Sequence, residues 1–409
     1  MTQHPDDKPN VRVPQPSARS LAGLDWLTFF LADIQTAFGP FVAVYLTAHK
    51  WTQIDIGLVL SIGSVVTLLS QVPGGALVDA ARSERWTAAV AVTCVGSSAL
   101  IIAAWPIFPL VLLARVLHAA ASSILVPAIA AISLGLVGHA AVGERLGRNA
   151  RFASLGTGLA AAGMGACGHF FSTRAVFFLA AALLLPAFVA LAHIRDEEID
   201  PDRAHGGAVT AQPSPTHGLR RLARNKPLII FAFAAALFHF ANAAMLPLMG
   251  SIMTMRLGNW APVLIAACIV VPQLVVAAIS PWIGRQAQAW GRRPMLLLGF
   301  CALPLRGLLF ANAPDPVTLT VVQLFDGVSA AALGVLVPLI VADLTSGTGH
   351  FNLALGIVGT GIGIGAALST TFAGYLADHY GIQIAFLGLA VAASLGCLLV
   401  AFAMPETRP

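Results

Sequence analysis

Long apolar runs separated by short polar joints fill this chain from residue 21 to residue 404. They cut into twelve segments, roughly 21 to 48, 54 to 80, 86 to 106, 107 to 137, 148 to 170, 175 to 194, 228 to 256, 260 to 284, 294 to 312, 316 to 346, 351 to 377 and 382 to 404. Each is long enough to cross a hydrocarbon core of about 30 Å, which takes about 20 residues at a rise of about 1.5 Å. A closed β-barrel would instead show alternating segments of about 10 residues. The pattern predicts an all-α membrane protein of twelve transmembrane helices.

The pattern also repeats after six segments. Phe29-Phe30-Leu31-Ala32-Asp33 in the first segment returns 209 residues later as Phe238-His239-Phe240-Ala241-Asn242 in the seventh. Two pseudo-symmetric six-helix bundles are therefore expected, at 21–194 and 228–404, with cytoplasmic tails at 1–20 and 405–409. Residues 195–227 open on Arg195-Asp196-Glu197-Glu198, are then rich in Gly, Pro, Ser, Thr and His, and end on Arg220, Arg221, Arg224 and Lys226. They read as a cytoplasmic linker that lets the bundles move, with a basic end suited to anionic lipid and with His205 and His217 solvated.

Composition agrees: 57% of residues are hydrophobic and 10% charged, far from a soluble average. The net charge of +5 does not indicate nucleic acid, because the basic residues stand singly between apolar segments and form no aromatic-interleaved patch. They sort by topology instead. With both termini inside, 18 of the 23 lysines and arginines fall on the inner side, Lys50, Arg174 and Arg256 fall outside, and Arg115 and Arg306 lie within spans. The expected place is the inner (plasma) membrane. The five cysteines lie on five different segments without pairing pattern and read as packing residues. The polar first 20 residues lack the apolar stretch of a cleaved signal peptide.

Two loops carry a shared motif. Between segments two and three lies Gly75-Ala76-Leu77-Val78-Asp79-Ala80-Ala81-Arg82-Ser83-Glu84-Arg85, and 209 residues on lies Gly284-Arg285-Gln286-Ala287-Gln288-Ala289-Trp290-Gly291-Arg292-Arg293-Pro294. A glycine lets helices approach closely, and acid and basic groups beyond it can hold neighbouring helix ends together. Both stretches resemble the loop motif of the major facilitator superfamily. They depart from it at Arg82, where a second glycine is expected, and at Gln288, where the acid is expected. In segment four, Arg115-Val116-Leu117-His118 followed by small residues resembles that superfamily's fourth-helix motif. The resemblance implies the major facilitator fold and a loop lock, here Gly75, Asp79, Arg82, Arg85, Gly284, Gly291, Arg292 and Arg293, that balances outward-open against inward-open states. It is nearest to multidrug/proton antiporter-like members, although the glycine-rich fifth segment lacks the proline of their motif.

The ionisable residues deep in spans are Asp33, Arg115, His118, His239, Arg306 and Asp326, with Asn242 and Gln323 as neutral companions. An unpaired carboxylate there costs several kcal/mol. Except for Arg306 they lie on segments 1, 4, 7 and 10, which line the central cavity in the superfamily, so Asp33, Arg115, His118, His239, Asn242, Gln323 and Asp326 are expected at a substrate and proton-coupling cavity. Burial raises a carboxylate's pKa and a neighbouring guanidinium lowers it, so an acid here can exchange a proton as the cavity changes sides. Asp33 is the preferred proton carrier. The alternative is that these groups satisfy one another as structural pairs, Asp33 with Arg115 and His239 with Asp326. Asp25, near the inner end of segment one, reads as a solvated or capping acid.

The expected function is secondary active transport by alternating access, with substrate at the midplane between the repeats. Proton-coupled export of an amphipathic or drug-like compound is the leading form. Proton-coupled uptake of a small metabolite, anion or siderophore comes second, and a non-transporting membrane sensor third. No nucleophile with base, HExxH or Walker loop points to an enzyme, and no metal site or cofactor is expected. The expected partners are a small-molecule substrate, protons and the bilayer, and the expected state is a monomer.

Overall fold

The computed structural model describes residues 16–36, 38, 40–207, 215–249, 261–313 and 315–408, except for the side chains at 33, 36, 40, 53, 215–217, 261–266 and 316. Residues 1–15 of the expected N-terminal tail and the basic residues Lys8, Arg12 and Arg256 lie outside the described residues, while the end of that tail is helical from Ala18 on. No strand occurs among the described residues.

Among the described residues the helices group into twelve spans. The first is split into Ala18–Thr36 and Pro40–Ala48, the second is Gln53–Asp79 and the third Glu84–Ala104. The fourth and fifth lie within Phe108–Phe170, and the sixth is Thr173–Ala182 with Leu184–His193. The second set comprises Lys226–Asn242, Ala261–Ala289, Arg292–Asn312, then Pro316–Val322 with Leu324–Leu344, then Phe351–Tyr380 and Ile382–Ala403. Five of the starts carry a local cause. Thr52, Ser83, Ser172, Asn225 and Asp315 each accept a backbone N–H of the first helical turn, satisfying donors that have no partner within the helix.

Spans four and five correct one expectation. Residues 138–147 were expected to be a loop, but helix continues on both sides of Gly138, which alone breaks it at φ 68° and ψ 175°. Glycine carries no Cβ and enters this region without strain. The chain reverses there with almost no loop.

Apolar residues between Leu24 and Ala204 form one core, and a second is built almost wholly from residues after Leu222. The two bundles meet with pseudo-twofold symmetry. Gly75 lies against the carbonyl of Asn352, and the pair 209 residues apart from it in the repeat, Gly284 and Gly143, makes the same contact; Gly356 against Gln71 is mirrored by Gly147 against Ser280. At all five glycines a Cβ would strike a backbone carbonyl of the other bundle, so a side chain there would force the helices apart.

These contacts belong to the end of the bundle where both described chain ends lie, here called the terminal face. There Ser17 N donates to Glu198 at 2.9 Å, and Arg292 N to Glu406 at 2.8 Å. Residues 196–207, expected to be a loose solvated linker, are packed on this face: Ser83 Oγ donates to Asp196 at 3.1 Å, and His205 Nε2 meets Glu84 Oε1 at 3.0 Å. His205 is therefore packed against an acid rather than solvated, and the reason is its position over the buried Glu84. The side chain of His217 lies outside the described residues.

Candidate functional site

Between the bundles lies a cavity of about 810 Å³. Its floor and walls come from spans 1, 4, 5, 7, 8, 10 and 11, and most lining side chains are apolar, among them Leu31, Ile129, Phe238 and Leu333. The polar ones are Thr28, Gln35, Asn149, Ser154, Thr157, His239, Asn242 and Gln273. No acidic or permanently basic side chain is among the described lining residues.

Two of these amides lead to buried ion pairs, one in each bundle. Asn149 Oδ1 accepts Arg145 Nε at 2.8 Å while its Nδ2 donates to Ser133 Oγ at 2.7 Å. Arg145 is in turn ion-paired with Asp25, whose other oxygen takes Arg148 Nη2 at 2.6 Å and Nε at 2.9 Å. Across the cavity, Asn242 Oδ1 accepts Arg306 Nη1 at 2.6 Å, and the same guanidinium pairs with Asp326 and lies 5.3 Å from the centroid of the Phe310 ring. Arg306 and Asp25 are each 1% exposed. A charge so buried in a membrane persists only when a counter-charge and further hydrogen bonds accompany it, and both sets meet that condition. Because an arginine only donates, each asparagine must turn its carbonyl oxygen to the guanidinium, which fixes the amide's orientation.

The expected site residues divide accordingly. His239 and Asn242 line the cavity. Asp326 reaches it only through Arg306 and Asn242, so the alternative pairing of His239 with Asp326 gives way to Arg306 with Asp326. The arginine set aside as the exception is thus part of the polar system. Arg115 donates to the carbonyl of Phe38 at 3.2 Å, where span one breaks, and makes no ion pair among the described residues. His118 stacks on the Phe38 ring, with centroids 3.7 Å apart and planes at 13°, and contacts Ser122 Oγ at 3.3 Å. Neither is among the described lining residues, nor is Gln323, which is fully buried at the break in span ten. The side chain of Asp33 lies outside the described residues. Asp25, read as a solvated cap, is instead the centre of a buried triad. Its partners sit 120 and 123 residues away, a distance that no local pattern bridges.

Of the loop motif, Asp79 reaches the other bundle. Its carboxylate accepts Asn352 N at 3.0 Å, Asn352 Nδ2 at 2.9 Å and Leu353 N at 2.7 Å, at the start of span eleven. A carboxylate there satisfies otherwise orphaned amides and lies at the positive end of the helix dipole. Gln288, at the equivalent position of the second copy, donates to the carbonyl of His139 in the first bundle at 3.4 Å. Arg292 pairs with Asp343 at 2.8 Å within its own bundle, Arg293 donates to the carbonyl of Ala401, and Gly291 starts span nine at φ 108°. Arg82 and Arg85 make no ion pair among the described residues. Hydrogen bonds between the bundles gather at this face, and Arg151 Nε donates to Ala277 O at 2.8 Å. Farther along span five, Gly163 and Gly165 have no neighbour within reach of a Cβ. The cavity is closed toward the terminal face.

Two helical bundles enclosing a central cavity, sealed on one side by contacts between small residues, define a multi-pass membrane transporter. Comparison with known proteins gives its family. The Major Facilitator Superfamily model matches residues 24–285 and 232–409, and the chain belongs to that family. It is 40% identical over 406 residues to uncharacterized MFS-type transporters of two Mycobacterium tuberculosis strains, covering 97% of this chain and 95% of theirs. A shorter match, 35% over 96 residues, links it to a puromycin resistance protein of Streptomyces alboniger, covering 24% of this chain and 19% of that protein. Among solved structures it resembles the MFS transporter FucP in the outward conformation, at 17% identity, TM-score 0.73 and coverage of 93% of this chain and 98% of that one. It also resembles the proton:xylose symporter XylE, at 14% identity, TM-score 0.71 and coverage of 95% and 96%. These structural likenesses concern the fold. The family consists of transporters and not of enzymes.

Proposed function

We propose that this transporter exports an amphipathic or drug-like compound in exchange for protons, cycling between outward-open and inward-open states. The observation that carries the reading is the cavity itself: about 810 Å³, mostly apolar, with a few neutral hydrogen-bonding groups and one titratable side chain, His239, among its described lining residues. Such a lining suits a ligand with a large apolar surface and little formal charge. The short match to a puromycin resistance protein points in the same direction. The basic-residue bias supports a cytoplasmic terminal face, and the reading takes the protein as a monomer in the inner (plasma) membrane. The two transporting units are 21–194 and 228–404, joined by 195–227.

Asp25 and Asp326 are the proton carriers this arrangement favours among the described residues, with Asp33 retained as a third candidate. Each of the first two is one guanidinium and one amide away from the cavity, so substrate arriving at Asn149 or Asn242 competes for the oxygen that steadies the arginine. The weakened arginine then holds its carboxylate less firmly. The amides Gln35, Asn149, Asn242 and Gln273 also suit a hydroxyl-rich metabolite, which favours proton-coupled uptake as the second reading.

Purified protein in liposomes with an imposed pH gradient tests both, with puromycin as the first probe. Puromycin moving against the proton flux supports export, and co-movement supports uptake. Gradient-independent flux in Asp25→Asn, Asp33→Asn or Asp326→Asn identifies the coupling acid.

A further inference from the structure

Residues 200–207 form a strap across the terminal face, held by both bundles. On the first bundle, Asp200 N donates to the carbonyl of Gly135 at 3.2 Å, and the His205 ring meets Glu84 at 3.0 Å. On the second, three consecutive carbonyls receive donors around the start of span eleven. Ala204 O takes Asn352 Nδ2 at 3.4 Å, His205 O takes Phe351 N at 3.3 Å, and Gly206 O takes Gly347 N at 2.5 Å. Gly206 and Gly207 turn the chain with φ of 89° and 123°, and a Cβ on Gly207 would come within 2.7 Å of Gly347 Cα. Only glycine permits both that backbone and that approach. His205 therefore grips the first bundle with its side chain and the second with its carbonyl. Asn352, one residue farther on, is the group that Asp79 also holds.

We propose that His205 is a pH-responsive latch: protonated, it ties the strap to Glu84 and keeps the terminal face shut, and deprotonated, it lets the bundles part there. The groups that face it are Glu84 at the first turn of span three, Asp79 at the end of span two and Asp202 on the strap itself. Arg203, the nearest cation along the chain, is occupied by Asp200 at 3.3 Å. Glu84 is the first residue of its helix and is buried. Burial works against a charge on His205, but the bond to Glu84 and the fields of Glu84, Asp79 and Asp202 outweigh it, so the imidazole pKa lies above its ordinary 6.5.

The sign follows from linkage. The pKa is raised in the closed state and ordinary once the strap has let go, so protonation favours closure. The latch is complete below about 6.5 and is lost as pH rises through the raised value. An acidic compartment at this face thus slows opening, and an alkaline one releases it. This inference does not depend on the substrate or its direction of movement.

The test places spin labels at Trp86→Cys and Trp290→Cys, two exposed positions on opposite bundles of this face, in a background with the five native cysteines replaced. Distances are measured by double electron–electron resonance in lipid nanodiscs from pH 5.5 to 8.5. The short, closed distance should dominate at low pH and lose population with a midpoint above 6.5. In His205→Gln the loss of closed population between pH 6.5 and 8.5 should disappear, and Glu84→Gln should move the midpoint down. His205→Arg, which keeps a charge at every pH, should hold the face closed. A pH-independent distance distribution in the otherwise wild-type chain overturns the latch without recourse to any variant, as does an unchanged titration in His205→Gln.

Discussion

Asp79 accepts the backbone N–H of Leu353 at 2.7 Å, joining the end of the second span to the start of the eleventh across the boundary between bundles. On the proposed alternating-access cycle this contact is broken when the terminal face opens, so its energy would belong to one state of the cycle. A ligand or residue shifts a two-state equilibrium only by its differential contacts, and Asp79 is such a residue.

Asp79→Ala should therefore raise the fraction of molecules open at the terminal face. Three hydrogen bonds to a buried carboxylate are lost, which disfavours the closed state by about 2 kcal/mol, or roughly a factor of 30 in the equilibrium. Reaction of a cysteine introduced at Ala153 on the cavity wall with a membrane-impermeant maleimide, applied from the terminal side, reports the change. Faster labelling is expected. An unchanged rate would mean that the contact is made in both states.

The Arg306–Asp326 pair predicts a different pattern, in stability. Asp326→Asn strands a buried guanidinium and should cost about 3 kcal/mol, whereas the double replacement Arg306→Met with Asp326→Leu removes both charges and should recover most of it. Thermal unfolding of the purified variants in detergent measures the order. Equal losses in the single and the double variant would show that packing, and not charge, sets the stability here.

Glu406 supplies the cap that Gly291 lacks. Its carboxylate accepts Arg292 N at 2.8 Å and Arg293 N at 3.1 Å, at the first turn of span nine. Partial burial opposes its charge, but the backbone donors from Arg408, Arg292, Arg293 and Thr407 outweigh it and hold its pKa below the ordinary glutamate value of 4.5. A depressed pKa contributes stability that is present above about 4.5 and disappears as pH falls through the lowered value. Glu406→Ala should cost about 1 kcal/mol at neutral pH, and the gap to wild type should close in acid. Melting curves at pH 7 and pH 3.5 separate this from a cost independent of charge.

Much of the architecture was legible in the chain because membrane spans are set by length and hydropathy, which sequence carries directly. The 209-residue repeat foretold the pairing of Gly75 with Gly284 as equivalent positions, and both meet the opposite bundle's backbone. What the pattern could not supply was partnership between helices. Asp25 stands near an inner helix end, where water is the natural neighbour; only the packing of spans one and five brings Arg145 and Arg148 to it. Arg306 held a readable hint, since a guanidinium deep in a span requires an acid, but Asp326 on a different span could be chosen only once the register between spans nine and ten was fixed. Helices broken by a single residue, as at Gly138 and Gln323, also escape hydropathy, which averages over many positions.

Alternating access is the claim on which the rest depends, and the cysteine at Ala153 tests it without knowledge of the substrate. In sealed liposomes carrying the protein in one orientation, an impermeant maleimide should reach that residue from either side, in separate experiments. The label from the terminal side should react more slowly, because the described cavity is shut there. Reaction from one side alone, under all conditions of pH and temperature that leave the protein folded, would contradict a carrier.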